Sequence, residues 1–447
     1  MGTIRYSLTL GSRMSYGSWG RLHAPTNSAV HIRWADAIPR PPDTKSLLPY
    51  GNGRSYGDSC LNEDGWLLDA RGLDRFRSFD PVTGILVCEG GVLLTEILAL
   101  IAPKNWFLPV TPGTQYVTVG GAIANDVHGK NHHRTGTFGH HVRRLALWRS
   151  DNTVTVCSPS ENSDLFHGTI GGLGLTGLIL WAELQLMPIA SQALRVDTQR
   201  FGGLREFFVL SQESDADFEY TVAWIDCLAR GRALGRGVFW RANHAPAGSP
   251  TPRPPRRSLS MPWTPPIPLV NRVSLRAFNS LLYRKTSPQL ETGYRHYVPF
   301  FYPLDRIKHW NRMYGPQGFF QYQCVVPQTH SLEAIAEILH RIAKARAGSF
   351  LAVLKVFGDR PPAGLLSFSR PGATFALDFP NKGIKTRILL DQLDQVVDNA
   401  GGAVYPAKDA RLTPQSFQRA FPAWRELAVL KDPHFSSSFW RRVTGTP

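Results

Sequence analysis

Two glycine-crowded segments set the terms on which this chain can fold. Gly51 to Asp58 reads GNGRSYGD, and Pro112 to His133 reads PGTQYVTVGGAIANDVHGKNHH. Each lies between apolar runs that read as strands. Glycine has no Cβ and takes φ > 0 freely, so such segments turn tightly and let backbone N–H groups approach a ligand. Clustered N–H groups form an anion-binding hollow, which suits a diphosphate. His128 stands inside the second segment, within a few residues of that hollow. Together they predict a bound phosphorylated ligand.

At 447 residues the chain exceeds one small core, and two domains are expected. Its 43% hydrophobic and 11% aromatic content describes a globular interior. Five scattered cysteines without a CxxC argue against a disulfide framework or a zinc site, and for a reducing compartment. The first residues lack the apolar run of a secretory signal, and no window reaches the roughly 18 to 20 apolar residues of a spanning helix. The expectation is a protein of the cytoplasm, or one peripheral at the inner face of the membrane. The net charge of +16 points to polyanions, whether nucleic acid, an anionic membrane or phosphorylated substrates. An arginine-rich composition is the plain alternative. The charge is concentrated, however. No acidic residue occurs between Asp226 and Glu291, where Arg253, Arg256, Arg257, Arg272 and Arg276 are found.

From Tyr50 to about Pro188, short strands alternate with glycine turns: WLLDA, GILVCEGG, VTVGGAIA, TVTVCSP and LTGLILWAELQLMP. Leu94 to Ala102 reads as a helix. A second region, about 195 to 400, mixes strands (TVAWIDCLA, GVFWRA, FQYQCVVP, FLAVLKVFG, ATFALDF) with two helices. These are Ser331 to Arg346, behind a serine cap, and Ile384 to Ala400, ending at Gly401. The class is α+β. Pro246 to Pro268 is too proline-rich for helix or central strand and predicts a loop or an extended cover.

In GNGRSYGD, Arg54 and Ser55 add donors to a phosphate-cradling turn; a glycine-rich hairpin is the plain alternative. GGLGLTG at Gly171 to Gly177 holds a formal GxGxxG, but the sequence after it is strand-like, so a tight turn is the better reading than a Rossmann site. His128, His132, His133, His140 and His141 lack carboxylate or cysteine partners at ligand spacing apart from Asp126, and no metal is expected. Lys408, in YPAKDARL, suits activation of a substrate hydroxyl if buried, and a surface salt bridge with Asp409 or Arg411 otherwise. Gln321 and Gln323 share one face of a strand, fit for sugar hydroxyls or a polar outer surface. Lys355 lies in an apolar strand and must be paired or face a cavity.

In this order, GxGRSYGD, PGTxxVTVGGAIAxDVHGKNHH, GGLGLTG, FYPLD, QYQCVVP, LDFP and YPAKD resemble the decaprenylphosphoryl-β-D-ribose 2′-oxidase family, FAD-linked oxidases of the vanillyl-alcohol oxidase type. The resemblance runs from about residue 15 to the C-terminus. It implies a two-domain fold in which residues 1–190 begin an FAD-binding domain of the PCMH type. Residues 191–400 form an inserted substrate domain on an antiparallel sheet, with a basic Pro-rich loop at about 241–290. Residues 401–447 return to the FAD domain. The FAD diphosphate would lie against Gly53, Arg54, Ser55, Tyr56 and Gly57. The cofactor would run past Gly113, Thr118, Val119, Gly120, Gly121, Asn125, Asp126, Val127 and His128, with contacts from Ile179 and Tyr405. Relatives with covalent flavin carry a histidine where Arg54 stands, so non-covalent FAD is implied.

The implied reaction is oxidation of a sugar 2′-hydroxyl to a ketone, with Lys408 activating the hydroxyl and His128 beside it as the second catalytic residue. Tyr56, Tyr302, Gln321, Gln323 and Lys355 would shape the pocket. The substrate would be a polyprenyl-phosphate ribose, the electron acceptor a quinone or O₂, and a short-chain reductase would complete an epimerisation to the arabinose form. Nucleic acid is not implied as a partner, while the basic, Pro-rich composition of segment 227–290 itself suggests a peripheral contact with lipid phosphate and an anionic membrane. The chain departs from the family pattern at Thr374 and Ala376, which replace an Asn and a pocket Cys. Prolines 39, 41 and 42 stand where the family has a helix. A soluble alditol or sugar lactone is the alternative substrate, and a non-catalytic polyanion-binding protein is the alternative that charge alone motivates.

Overall fold

The computed structural model describes residues 15–446 apart from 27, 40, 42–44 and 254–257. Expectations for the first fourteen residues, Pro42, Arg256 and Arg257 lie outside the described residues. Leu47–Tyr50 and Ala29–His31 flank Trp66–Asp69 in a parallel sheet. A five-stranded antiparallel sheet follows in the order Phe76–Asp80, Ile85–Glu89, Leu178–Gln185, Val142–Trp148, Val154–Cys157. The largest sheet is antiparallel and eight-stranded. Its order is Glu291–His296, Ala193–Phe201, Gly237–His244, Tyr220–Ile225, Val353–Phe357, Gly372–Pro380, Phe319–Val326, Ala403–Val404. The fold is the expected α+β type.

The large sheet has two unlike faces. Phe320, Tyr322, Cys324, Phe375, Leu377 and Phe379 pack in one apolar core with Ile335, Ile338, Leu339 and Ile342 of the Ser331–Ala345 helix. Side chains alternate along a strand, so the residues between them must face the other way. Those residues are Gln321, Gln323, Thr374, Ala376 and Asp378, and all of them line a cavity. Each apolar side chain fully buried on the helix side contributes about 1.5–3 kcal/mol. That burial sets the register and so fixes where the polar set points.

Two local expectations are corrected. VTVGGAIA reads as a strand, but Val119–Ala124 is a short helix. Thr118 Oγ1 accepts from Gly121 N–H at 3.1 Å, and Gly120 N–H donates to Gly90 O at 2.7 Å. A Cβ on Gly120 would stand only 3.1 Å from that carbonyl. The capping threonine and this close approach outweigh the β-branched residues Val117, Thr118 and Val119. Ser331 does not cap its helix: its hydroxyl donates to Val326 O and Pro327 O, and the cap position is His330. No helix forms among the described residues between Trp34 and Ser46. GGLGLTG is a turn with Gly171 and Gly174 at φ 71° and 79°, leading into the strand Leu178–Gln185.

The C-terminal segment serves both parts of the molecule. Ala403–Val404 adds the edge strand of the large sheet, while Leu47 N–H donates to His434 O and Ser436 N–H donates to Leu47 O. Arg442 forks onto Asp58 at 2.8 and 2.7 Å, and reaches Asp409 at 2.8 Å and Leu412 O at 2.7 Å. Asp58 and Asp409 are nearly inaccessible. Arg442 therefore clamps the glycine turn of residues 51–58 to the segment that carries Lys408. Arg442→Met leaves two buried carboxylates uncompensated and should destabilise the protein by about 3–5 kcal/mol. The check is the urea midpoint at unchanged transition slope.

Candidate active site

A cavity of ≈ 730 Å³ opens between the glycine segments and the polar face of the large sheet. One part of its wall is the Gly51–Tyr56 turn. Gly53 holds φ 58°, and a Cβ there would meet Tyr50 Oη at 2.2 Å; one on Gly51 would meet Thr118 Oγ1 at 2.4 Å. The turn is held by Asn52 Nδ2 donating to Tyr116 O, Trp19 N–H to Ser55 O and Tyr56 N–H to Ala407 O. The backbone N–H groups of Gly53, Arg54 and Ser55 donate to no described residue. The Arg54 guanidinium lies 4.0 Å over the Trp19 ring, with its Nε buried and unpartnered. Unused donors around glycines, beside a cation, are what a diphosphate takes.

Across the cavity, Lys355 Nζ lies 3.0 Å from His128 Nδ1 and donates to Gly129 O at 2.8 Å. Gln323 Nε2 lies 2.8 Å from His128 Nε2 and donates to Thr374 Oγ1 at 3.1 Å. Burial, then neighbouring Lys130 and Lys408, push the Lys355 amine well below its ordinary value. Burial and Lys355 do the same to His128. Nδ1 meets the Lys355 amine and Nε2 the Gln323 amide. Both ring nitrogens of His128 are thus committed within the protein. For the catalytic place expected of His128 beside Lys408, this geometry offers a means: it fixes Lys355 and Gln323 in the cavity wall.

Lys408 follows the edge strand, with its N–H donating to Tyr405 O at 2.9 Å and its Nζ 4.0 Å above the Tyr56 ring. It lies deep in the protein, and what exposure it has is to the cavity. Asp409 is taken by Arg442, and Arg411 by Asp391 and Asp394, so the surface salt-bridge reading falls away. Burial pushes Lys408 down to about 7, with Asp378 acting in the opposite direction.

Asp378 is a site residue that the sequence reasoning passed over. It pairs with Gln321 in the strand register, is fully buried, accepts from Gln321 Nε2 at 2.8 Å and from Tyr314 Oη at 3.4 Å. Burial pushes its carboxyl up to about 7, against Gln321 and Lys408. Lys130 was also missed. It lines the cavity, donates to Phe301 O at 3.1 Å and is pushed down to about 8 by burial. The signal for Asp378 was a charge in the apolar alternation of ATFALDF, the argument already applied to Lys355.

Of the residues expected at the cofactor, Arg54, Ser55, Tyr56, Gly113, Thr118, Gly120, Gly121, Asn125, Val127, Ile179 and Tyr405 line the cavity. Four expected contacts stand behind the wall instead. Gly57 is packed so that a Cβ would lie within bonding distance of Asp409 O, and Val119 is buried in the core. Asp126 accepts from Gly139 N–H at 2.9 Å and Ser367 Oγ at 2.6 Å. Tyr302 is inaccessible, its hydroxyl bonded to that of Thr111. The other histidines are structural: His132 lies against Phe357, His133 meets Phe218 O, and His140 and His141 meet Pro361 O and Thr135 O. No group of three metal-ligating side chains occurs among the described residues.

The FAD binding domain family matches residues 43–158, the part that supplies both glycine segments. Decaprenylphosphoryl-β-D-ribose oxidase of Mycolicibacterium smegmatis is 35% identical over 99% of both chains. Mouse L-gulonolactone oxidase is 29% identical over 39% of each, and human Δ(24)-sterol reductase 28% identical over 29% of this chain and 28% of its own. FAD is the cofactor, and the unused donors of Gly53, Arg54 and Ser55 fit its diphosphate. Gly53→Ala forces a side chain into left-handed backbone at a cost of ~1–3 kcal/mol, so FAD affinity should fall about tenfold or more. Titration of apoprotein by flavin fluorescence is the check. The chain belongs to the decaprenylphosphoryl-β-D-ribose oxidase family and is an FAD-dependent oxidoreductase.

Proposed function

We propose that this enzyme oxidises the 2′-hydroxyl of a polyprenylphosphoryl-β-D-ribose to a ketone, using FAD held without a covalent bond. The observation that carries the reading is Lys408: a lysine set deep in the protein, free of salt bridges among the described residues, facing a cavity lined by Gln321, Asp378 and Lys355. When bound, FAD supplies the acceptor for the two electrons that leave the carbinol carbon.

The chain's own residues manage the proton and the fit. Near neutral pH a large fraction of Lys408 is the free amine, so Nζ can take the hydroxyl proton as the ketone forms. The face of Tyr56 and the charge of Asp378 then stabilise the resulting ammonium. Asp378 also holds Gln321 Nε2, which leaves Gln321 Oε1 as a buried acceptor without a protein partner. An amide oxygen so fixed suits a sugar hydroxyl. Trp224, Trp240, Val270, Phe278 and Phe350 make an apolar stretch of the same wall, in keeping with a lipid chain. The ketone would pass to a short-chain reductase to complete an epimerisation, and a quinone or O₂ would reoxidise the flavin.

The absence of a tether rests on Arg54 in the turn and on Cys60, a cavity thiol pushed up to about 12 by burial and so not a thiolate. Acid precipitation should leave all flavin in the supernatant; flavin retained in the pellet would overturn this point. Anaerobic flavin bleaching tests the substrate, with a prenylphosphoryl ribose expected to reduce it and alditols or sugar lactones not. The reduction rate should rise with pH through about 7, because the base form of Lys408 grows as pH passes its depressed pKa. Lys408→Met should keep FAD but lose at least about 100-fold in rate, with the pH rise gone. Asp378→Asn removes a charge that supports the ammonium, so the rise should move to lower pH.

A further inference from the structure

We infer that the outer face of the Arg272–Lys285 helix, with the loop leading into it, docks on an anionic lipid bilayer. The helix is amphipathic in an unusual sense. Leu275 and Asn279 are buried on its inner side, where Asn279 Nδ2 donates to Asp226 Oδ1 at 2.8 Å. Its outer side is apolar as well: Val273 is 78% and Leu281 68% exposed, two helical turns apart with Ala277 between them. Side chains of this kind cost free energy in water unless something covers them.

The preceding loop repeats the pattern on a pinned backbone. Met261 N–H donates to Lys308 O, Leu269 N–H to Met313 O, and Arg312 Nη1 to the carbonyls of Met261 and Pro262. Trp263 and Ile267 are nevertheless 60% and 75% exposed, held outward from that anchored chain.

Cations flank the apolar stripe. Arg272 and Arg276 lie on one side of it and Lys285 on the other, and all three are exposed. Arg272 is depressed by Arg276 above all, with Arg346 and Arg230 adding to the same field. No acidic residue from 227 to 290 neutralises them. Nucleic acid would use the arginines but gain little from Val273, Leu281 and Ile267. A bilayer interface takes both at once, with apolar side chains at the acyl boundary, tryptophan at the interface and arginines among anionic headgroups.

The placement has a consequence for the cavity. Phe278 and Leu282 of this helix line it from within, so the docked face and the apolar wall are two sides of one helix. Resting on the polyprenyl reading above, a lipid chain would enter from the bilayer side past this helix, without crossing water.

Flotation of the FAD-loaded enzyme with vesicles tests the docking, and it contains no sugar, so its failure is distinct from failure of the substrate reading. Wild type should float with vesicles of equal parts phosphatidylglycerol and phosphatidylcholine, less as salt rises, and not with phosphatidylcholine alone. Val273→Glu with Leu281→Glu, and separately Arg272→Ser with Arg276→Ser, should each weaken binding about tenfold or more at unchanged FAD content. Trp263 fluorescence, taken as the difference from Trp263→Phe, should shift to the blue on binding. Absence of wild-type flotation, or undiminished flotation of both double variants, overturns the inference. So does light scattering that shows a wild-type dimer split by the glutamate pair, which would assign the face to a second copy of the chain.

Discussion

Everything at the site depends on strands that are buried on both faces. In Phe319–Val326 and Gly372–Pro380 the helix-side residues are large and apolar, and their burial locks the register of the pair. A slip of one residue would send Gln321, Gln323 and Asp378 into the apolar core and Phe320, Tyr322 and Leu377 into the cavity. The cost of that exchange is spread over the whole sheet. The polar floor is therefore rigid because of side chains that never touch a ligand.

On that floor the governing effect is desolvation. Lys130, Lys355, Lys408 and Asp378 are all moved toward their neutral forms, and burial is the largest cause in each case. Three amines brought close together in water would simply repel one another. Out of water their charged forms are disfavoured and each amine is held by specific partners, as Lys355 is by His128 Nδ1 and Gly129 O. Asp378 is the counterweight that keeps Lys408 from falling as far as Lys355, whose neighbours are cations.

Much of this was legible in the sequence. The alternating strands, the two long helices and the turn nature of GGLGLTG follow from periodicity and glycine placement, and Lys355 followed from a charge in an apolar strand. Val119–Ala124 did not, because its helix depends on a Thr118 cap and on contact with Gly90, and a local pattern cannot display a distant carbonyl. Tyr302 and Asp126 were misplaced for a related reason. Polar residues beside a motif look functional, yet theirs are spent on Thr111, Gly139 and Ser367, partners that only the folded chain brings near. Asp378 carries the same mark as Lys355, a charge within the apolar alternation of ATFALDF.

The hydrogen bond from Tyr56 N–H to Ala407 O joins stretches from opposite ends of the described chain. In folding terms that is a contact of very high sequence separation, and closing the loop between its ends costs chain entropy that the packing around it must offset. The helices after the Ala403–Val404 edge strand seat Phe417, Phe421, Leu427, Phe439 and Trp440 in the same apolar core as the large sheet, so one body of burial holds both. Loss of that burial would dismantle the reacting centre from behind and release the glycine turn that Ala407 and Arg442 hold.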